Sequence, residues 1–367
     1  MHQKLVQKHI EKIKLFEQSI KSEETRRVYI VYLKKWVDYL GKKNIMLQSD
    51  PRKIEEHIRD FIISMKEQSK SYSAIHNYVS AIIKFYTIND IVLNSNKIYR
   101  FMPDKKKSNK DRAYTHQEIH RLLDIADERM RAVILLLSST GMRIGAIPDL
   151  RLRNLERISE FAIYKITVYE GFNEEYFTYC TPECTIAIDN YLNMRKRYGE
   201  KLGGHSFLIR EQFDIRDPFA ISKCQKTVSN TLANKIIDLA IRSGIRERAV
   251  LTKETRHLGG RLRKDVAVCH GFRKFFTTEL IRKKVNPEIR EMLLGHTIGL
   301  ASAYYKPDDD DFLEEYQNVI DNLTIDPTNR LQRTIETLKI EKSELEMLTA
   351  DVAELKRMMK NKHGRIR

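Results

Sequence analysis

Apolar side chains recur at helical spacing through the first hundred residues. Asp50 followed by Pro51 is typical of a helix start, because aspartate caps free N–H groups and proline has no N–H to satisfy. The apolar faces of this helix and its two neighbours are Ile54, Ile58, Phe61, Ile62 and Met65; Val28, Tyr32, Trp36 and Leu40; and Ile75, Tyr78, Val79, Ile82, Phe85 and Tyr86. They predict a helical domain over residues 20–102, preceded by an N-terminal extension, 1–19.

A second domain is predicted over residues 113–325, after a polar segment, 103–112, that we interpret as an interdomain linker. Thr115 and Glu118 have capping-box spacing, and Gly141 follows an apolar helix that begins near Arg131. Between residues 161 and 180, apolar residues flank the turn segment 170–173 in the pattern of a β-hairpin. The expected fold class is therefore mainly α with a small β-hairpin or sheet.

The C-terminal segment, residues 326–367, predicts one long polar helix. Asp326 and Pro327 form a helix start, and no glycine or proline follows up to His363. Its apolar positions have near-heptad spacing with a phase slip near Lys342. They are Leu331, Ile335, Leu338, Leu345, Leu348, Val352, Leu355 and Met359. Two interpretations remain open: a coiled coil, or an amphipathic helix lying on its own protein.

The charge balance narrows the class of partner. The chain of 367 residues has 66 Lys and Arg against 50 Asp and Glu, a net charge of +16. This balance indicates nucleic acid first, an anionic membrane surface second, and a merely basic protein as the remaining alternative. No apolar run approaches the roughly 20 residues that span a bilayer, and the first residues lack a signal-peptide core. With only four cysteines, we expect a cytoplasmic, intracellular protein and no membrane partner.

Two basic runs are candidates for contacts with a nucleic-acid backbone. The first lies in the predicted linker and contains Lys105, Lys106, Lys107, Lys110 and Arg112. The second contains Arg256, Arg261, Arg263 and Lys264. Clustered lysines and arginines bind phosphates without reading the base sequence, so we expect these runs to supply salt-dependent affinity.

Four short motifs combine arginine, imidazole and phenol groups. They are Arg143 shortly after a glycine-broken helix, His270 with Arg273 one helical turn later, His296 after a Leu-Gly pair, and Tyr305 within a Tyr-Tyr-Lys-Pro segment. Arginine forks bind phosphate oxygens in pairs, histidine moves protons, and tyrosine can be a covalent nucleophile. Each motif alone is explained as well by surface or packing roles, but together they predict a phosphodiester site.

The order and spacing of the four motifs resemble those of the tyrosine recombinase (integrase) family, in its phage and archaeal types. His296 follows Arg273 by 23 residues and precedes Tyr305 by 9, as is usual in that family. The block from Arg143 to Tyr305 is similar to the family's catalytic domain, and the helical domain before the linker is similar to its core-binding domain. Only the long C-terminal helix lies outside the family pattern.

The resemblance implies a site-specific recombinase that cleaves and rejoins double-stranded DNA without a metal or cofactor. It implies that Tyr305 attacks a phosphate, forming a 3′-phosphotyrosine and releasing a 5′-hydroxyl. Arg143 and Arg273 would hold the phosphate oxygens, His270 would assist proton transfer at the nucleophile, and His296 would hydrogen-bond the phosphate. The family also implies self-association, as a tetramer on paired DNA sites, and a location at the nucleoid.

Two positions depart from the family pattern. The glutamate usually found three residues after the first arginine is Ala146 here. The hairpin turn lacks the family's lysine, which acts as general acid, and Lys165 on the first strand is the only lysine between Arg151 and Arg195. Lys165 is thus the local candidate for the acid, with a solvent-facing strand lysine as the alternative. Two other functions stay open: a type IB topoisomerase-like nicking and rejoining enzyme, and a catalytically weak DNA-binding or architectural protein.

Overall fold

The computed structural model describes residues 11–42, 50–105, 111–223, 225–247, 266–299 and 304–363. The chain divides into two compact units, with the described residues up to 105 in the first and those from 111 onward in the second. Helices dominate both units, and the second also contains a three-stranded sheet. The expected fold class, mainly α with a small sheet, is confirmed.

The described part of the first unit is a helical cluster. Its elements are α1 (11–18), α2 (Glu23–Lys42), α3 (Pro51–Glu67), α4 (Tyr72–Ile88) and α5 (Ser95–Tyr99). The Asp50 side chain accepts the N–H of Arg52 at 3.0 Å, so the predicted cap of α3 is confirmed. The predicted face of α3 is buried, but Val28 on α2 is 41% exposed and was wrongly placed, because α2 buries Leu33 instead.

The second unit is built around one helix that is buried on nearly every side. Its helices are α6 (His116–Asp124), α7 (Glu128–Thr140), α8 (Pro182–Arg197), α9 (Pro218–Ser222), α10 (Ser229–Arg242), α11 (His270–Arg282), α12 (Pro287–Leu293), α13 (Asp309–Gln317), α14 (Ile320–Leu323) and α15 (Pro327–His363). Helix α7 packs against α6, α8, α10 and α11. It begins at Glu128 with Asp127 as its cap, three residues before the predicted start.

The sheet consists of β1 (Leu155–Ile158), β2 (Ile163–Val168) and β3 (Tyr176–Tyr179), all antiparallel in that order. The predicted hairpin is β2–β3, whereas β1 was missed because it has only four residues and two of them are charged. In this register Lys165 lies opposite Glu156 on β1 and Tyr179 on β3. The loop from Tyr169 to Glu175 therefore closes the β2–β3 hairpin.

The C-terminal helix α15 leaves the rest of the second unit after its first turns. Its predicted start is confirmed, since the Asp326 side chain accepts the N–H of Thr328 at 2.7 Å. Seven of its large apolar side chains are 47–67% exposed: Leu331, Ile335, Leu338, Leu345, Met347, Leu348 and Val352. Within the described ranges, no helix has the length and apolar character needed to cross a membrane.

Candidate active site

The guanidinium of Arg273 is fixed at the centre of the second unit. Helix α11 carries this residue on its buried face, and its side chain donates to the carbonyl of Gly141 at 2.9 Å and to that of Leu294 at 2.7 Å. Arg273 is only 7% exposed, so its position is set by packing as well as by these bonds. Burial lowers the pKa of Arg273, and the nearby charge of Arg143 lowers it further.

Gly141 is what allows α7 to end at this point. It adopts a left-handed conformation, with φ of 63°, which turns the chain and leaves its carbonyl available to Arg273. A Cβ atom here would overlap the ring of Phe276 on α11. The predicted helix stop is therefore confirmed, and the same glycine permits the close approach of α7 and α11.

His296 bonds to Arg273 on one side of its ring and to a carboxylate on the other. Its Nε2 lies 2.7 Å from Nη2 of Arg273, and its Nδ1 lies 2.6 Å from Oε2 of Glu291. Arginine only donates hydrogen bonds, so Nε2 is the unprotonated nitrogen and Nδ1–H donates to Glu291. The bond to His296 lowers the pKa of Glu291, which keeps its carboxylate ionised.

Gly295 brings the strand β3 against this histidine segment. Its φ is 66°, and a Cβ atom would lie 2.5 Å from the ring of Tyr176. Only glycine combines this backbone conformation with so close a contact. The ring of Tyr176 thus packs directly beside the residue that precedes His296, and burial raises the pKa of Tyr176 to about 12.

Arg143 and His270 are the other two members of the cluster. Arg143 is exposed, and no described residue forms a hydrogen bond or ion pair with its guanidinium. His270 is the first residue of α11, and its pKa is lowered by partial burial and by the charges of Lys274, Arg273 and Arg143. Its imidazole is therefore neutral at neutral pH and can accept a proton.

Tyr305 lies in different surroundings from these four residues. It is partly exposed, and burial together with the charges of Asp311, Glu288 and Glu315 raises its pKa. No contact between described residues joins its phenol to Arg143 or Arg273. The structure thus brings Arg143, His270, Arg273 and His296 together and places Tyr305 among carboxylates.

Lys165 forms an ion pair with Asp309 and contacts an aromatic ring. Its Nζ lies 2.5 Å from Oδ2 of Asp309 and 4.3 Å from the centre of the Phe177 ring. Its side chain is only 17% exposed, so it is not the solvent-facing strand lysine of the alternative interpretation. Ala146 is buried in the core, and no glutamate takes its place near Arg143 in the sequence.

Comparison with known proteins assigns the chain to a family. The sequence profile described as the phage integrase family matches residues 112–310, more than half of the chain. The chain belongs to the phage integrase family. It is accordingly a tyrosine-type site-specific DNA recombinase, as the four motifs indicated. A comparison with curated protein sequences gave no significant match.

Solved structures of low sequence identity share the recombinase fold. A lambda integrase dimer bound to a COC′ core site is 14% identical, with a TM-score of 0.53 and coverage of 84% of this chain and 96% of that chain. The XerH site-specific recombinase bound to difH substrate is 17% identical, with a TM-score of 0.52 and coverage of 79% and 78%. A lambda integrase tetramer bound to a Holliday junction is 14% identical, with a TM-score of 0.53 and coverage of 82% and 77%.

The predicted DNA-binding residues of the recombinase are only partly described. Lys105 is exposed, and Arg112 forms a two-pronged ion pair with Glu118 at 2.6 and 2.7 Å. The others lie outside the described residues: Lys106, Lys107, Lys110, Arg256, Arg261, Arg263 and Lys264. Among the described residues, no group of His, Cys, Asp or Glu side chains could hold a metal ion.

A basic groove in the first unit was missed by the sequence interpretation. It has a volume of about 650 Å³, and its lining includes Lys34, Lys35, Lys42, Tyr39 and Tyr78. The lysines come from α2 and are spaced so that they share one face of that helix with Tyr39. Helical spacing could have revealed this face, but lysines on a helix surface are common and gave no separate signal.

Proposed function

We propose that this recombinase cleaves DNA by attack of Tyr305 on a phosphate held between Arg143 and Arg273. The observation that supports the proposal most strongly is the pairing of a fixed guanidinium, Arg273, with a nearby exposed one, Arg143. Two like charges this close repel each other, and a phosphate between them removes that repulsion. The stabilisation is larger in the transition state than in the bound substrate, because negative charge accumulates on the phosphate oxygens there.

The two histidines have different tasks in this proposal. Neutral His270 accepts the proton of the attacking phenol. His296 hydrogen-bonds the phosphate, and its bond to Glu291 at Nδ1 fixes the orientation of the imidazole for that task. The product is a 3′-phosphotyrosine with a free 5′-hydroxyl, and the retained bond energy allows rejoining without ATP.

The position of Tyr305 sets a requirement on this reaction. Burial and the charges of Asp311, Glu288 and Glu315 raise the pKa of its phenol, which disfavours the phenolate there. We infer that DNA binding brings the phenol to the phosphate at the arginines, where positive charge favours the phenolate. The nearby carboxylates then keep the phenol protonated until DNA is bound.

A nicked suicide substrate tests the proposed function directly. Loss of the short fragment beyond the nick prevents rejoining, so the wild-type protein should become covalently attached to the DNA. Sequencing of the attached DNA would identify the target site. Absence of any adduct over the range of DNA sequences tested would support a DNA-binding protein without cleavage activity.

Double-stranded DNA and further copies of the chain are the proposed partners, in the cytoplasm at the nucleoid. Related structures are a dimer on a core site and a tetramer on a Holliday junction, and we propose a tetramer on paired sites here. Strand exchange between two sites needs this assembly, whereas a type IB topoisomerase-like enzyme acts alone. We therefore expect exchange between paired sites and no relaxation of a plasmid that lacks the site.

The proposed binding of DNA phosphates by the predicted linker gives a prediction for how DNA affinity depends on salt concentration. Replacement of Lys105, Lys106 and Lys107 by glutamine should flatten the log–log dependence of DNA affinity on salt, by about 0.9 for each phosphate that the linker no longer neutralises. A matched control replaces Lys339, Lys342 and Lys356, three exposed lysines of α15, and so changes the net charge equally. An unchanged slope in the linker variant would remove this segment from the interface.

The near-heptad apolar residues of α15 form a seam, and they give a prediction for assembly. Its exposed members are Leu331, Ile335, Leu338, Leu345, Leu348 and Val352. We propose that a second copy of α15 covers it, because exposed apolar residues at near-heptad spacing fit a coiled coil and charges of both signs flank the seam. Truncation after Ile325 should leave covalent attachment to DNA intact and weaken self-association in sedimentation experiments.

Point substitutions distinguish the contribution of the seam to self-association from other effects of removing the helix. Replacement of Leu345 and Leu348 by serine should weaken self-association as truncation does, because both lie in the seam. Replacement of Met347, which is 67% exposed but points about 100° away from Leu348, should have little effect. Equal self-association of the truncated and full-length proteins would contradict the proposal.

A further inference from the structure

The hairpin of this recombinase offers no free lysine to the reaction. Lys165 is engaged by Asp309 and lies over the ring of Phe177. The turn from Tyr169 to Glu175 contains no lysine. A leaving 5′-alkoxide departs slowly unless it is protonated as the bond breaks, so another group has to supply the proton.

Tyr169 occupies the first position of this turn in a strained conformation. Its φ is 58°, a left-handed value that is unfavourable for a residue with a side chain. The other described non-glycine residues with positive φ are Ser69, Asp90, Ala162 and Lys284, so Tyr169 is the one aromatic residue among those described. Strain of this kind is retained where it positions a functional side chain.

Tyr169 lies near the guanidiniums of Arg143 and Arg273 and against the ring of Tyr176. Its ring centre lies 6.3 Å from that of Tyr176, whose ring packs on Gly295 beside His296. Burial raises the pKa of Tyr169. The charges of Arg143 and Arg273 lower it, and those of Asp149 and Glu174 act in the opposite direction with less effect. Its hydroxyl has no hydrogen-bond partner among the described residues, so it is free to bond to DNA.

We propose that Tyr169 donates the proton to the leaving 5′-oxygen, the task that a hairpin lysine has in the resembled family. As the Tyr305 oxygen bonds to phosphorus, the bond from phosphorus to the 5′-oxygen breaks and that oxygen takes the Tyr169 proton. The resulting Tyr169 phenolate is stabilised by the two guanidiniums. During rejoining it takes the proton back from the attacking 5′-hydroxyl, so each cycle restores the site.

A phenol is chemically suited to replace a lysine here. The ordinary pKa of tyrosine is about 10 and that of lysine about 10.4, so the two are acids of similar strength. The lysine loses a positive charge when it donates, whereas the tyrosine gains a negative one. Two adjacent arginines supply the positive charge that such a tyrosine needs.

A substrate with a sulfur leaving group isolates the proton transfer. Cleavage would be compared on a normal phosphodiester and on a 5′-bridging phosphorothiolate, whose sulfur leaves without a proton. We expect Tyr169→Phe to slow cleavage of the phosphodiester by about 10²–10⁴-fold and to cleave the phosphorothiolate at nearly the wild-type rate. Equal slowing on both substrates, or no slowing on either, would overturn the proposal.

Two further variants make the result specific to Tyr169. Tyr164→Phe removes a hydroxyl from the same sheet, one that donates to Asp189 at 2.7 Å, and should leave both rates unchanged. Lys165→Ala tests the sequence-based candidate. If the phosphorothiolate rescues Lys165→Ala and not Tyr169→Phe, the proton comes from Lys165 and the proposal is wrong.

The inference rests on the proposed function, and the experiment separates the two. The midpoint of thermal unfolding shows whether each variant is folded, and its DNA affinity shows whether it binds the substrate. If the wild-type protein forms no adduct on either substrate, the proposed cleavage reaction itself fails. If the wild-type protein forms the adduct and Tyr169→Phe behaves like it, only the role of Tyr169 is rejected.

Discussion

Tyr305→Phe is expected to bind DNA with wild-type affinity and to form no covalent adduct. The substitution keeps the ring and its packing, and removes only the oxygen that attacks the phosphate. Tyr305 is also partly exposed, so loss of its hydroxyl should change the midpoint of thermal unfolding little. Denaturing electrophoresis after incubation with the nicked suicide substrate measures the adduct.

The neighbouring tyrosine is the matched control. Tyr304 is 90% exposed and lies eight residues after His296 instead of nine. The Tyr304→Phe variant should therefore form the adduct at the wild-type level. If Tyr304→Phe abolishes the adduct and Tyr305→Phe does not, the nucleophile is displaced by one residue. If both variants form it, the nucleophile lies elsewhere in the chain.

Arg273→Lys should reduce the rate of adduct formation by about 10²–10³-fold, the usual effect of removing one hydrogen-bond donor from a developing oxyanion. The arginine bonds to two carbonyls and to His296 while it faces the phosphate, and a single ammonium cannot make all these contacts. Loss of buried bonds should also lower the free energy of unfolding by about 1–3 kcal/mol. Single-turnover cleavage at saturating protein separates the rate from DNA binding.

Arg282→Lys provides the control on the same helix. This residue ends α11, is 63% exposed and pairs with Glu279, so its replacement should leave the cleavage rate unchanged. A wild-type rate in Arg273→Lys would show that the arginine is structural. The pairing of Arg143 and Arg273 would then not explain catalysis.

Local features of the fold could be predicted from the sequence because neighbouring residues determine them. The cap at Asp50, the capping box of Thr115 and Glu118, and the helix stop at Gly141 are all present. Each depends on side-chain and backbone groups within a few positions. The family could also be identified, because the spacing of its motifs is preserved along the chain.

Features set by contacts beyond a single helical turn could not be predicted in this way. Glu291 fixes the ring of His296 across a turn, and no pattern in the sequence singles it out from other surface glutamates. Tyr169 is likewise recognised only from its backbone conformation and its contact with Tyr176. The strand β1 depends on its pairing with β2, which overrides its charged composition.

The attachment of α15 has a mechanical consequence. The carboxylate of Glu183 accepts the N–H groups of Ile325 and Asp326 at 2.8 and 3.1 Å, and Arg333 pairs with Asp321 at 2.7 Å. The first turns are therefore clamped to the catalytic unit, and the helix of 37 residues extends for about 55 Å as a lever arm. A rotation of about 10° at the clamp would move the far end by about 10 Å. Pairing of two such arms would fix the distance between two cleavage sites and would transmit rotation of one catalytic unit to the other.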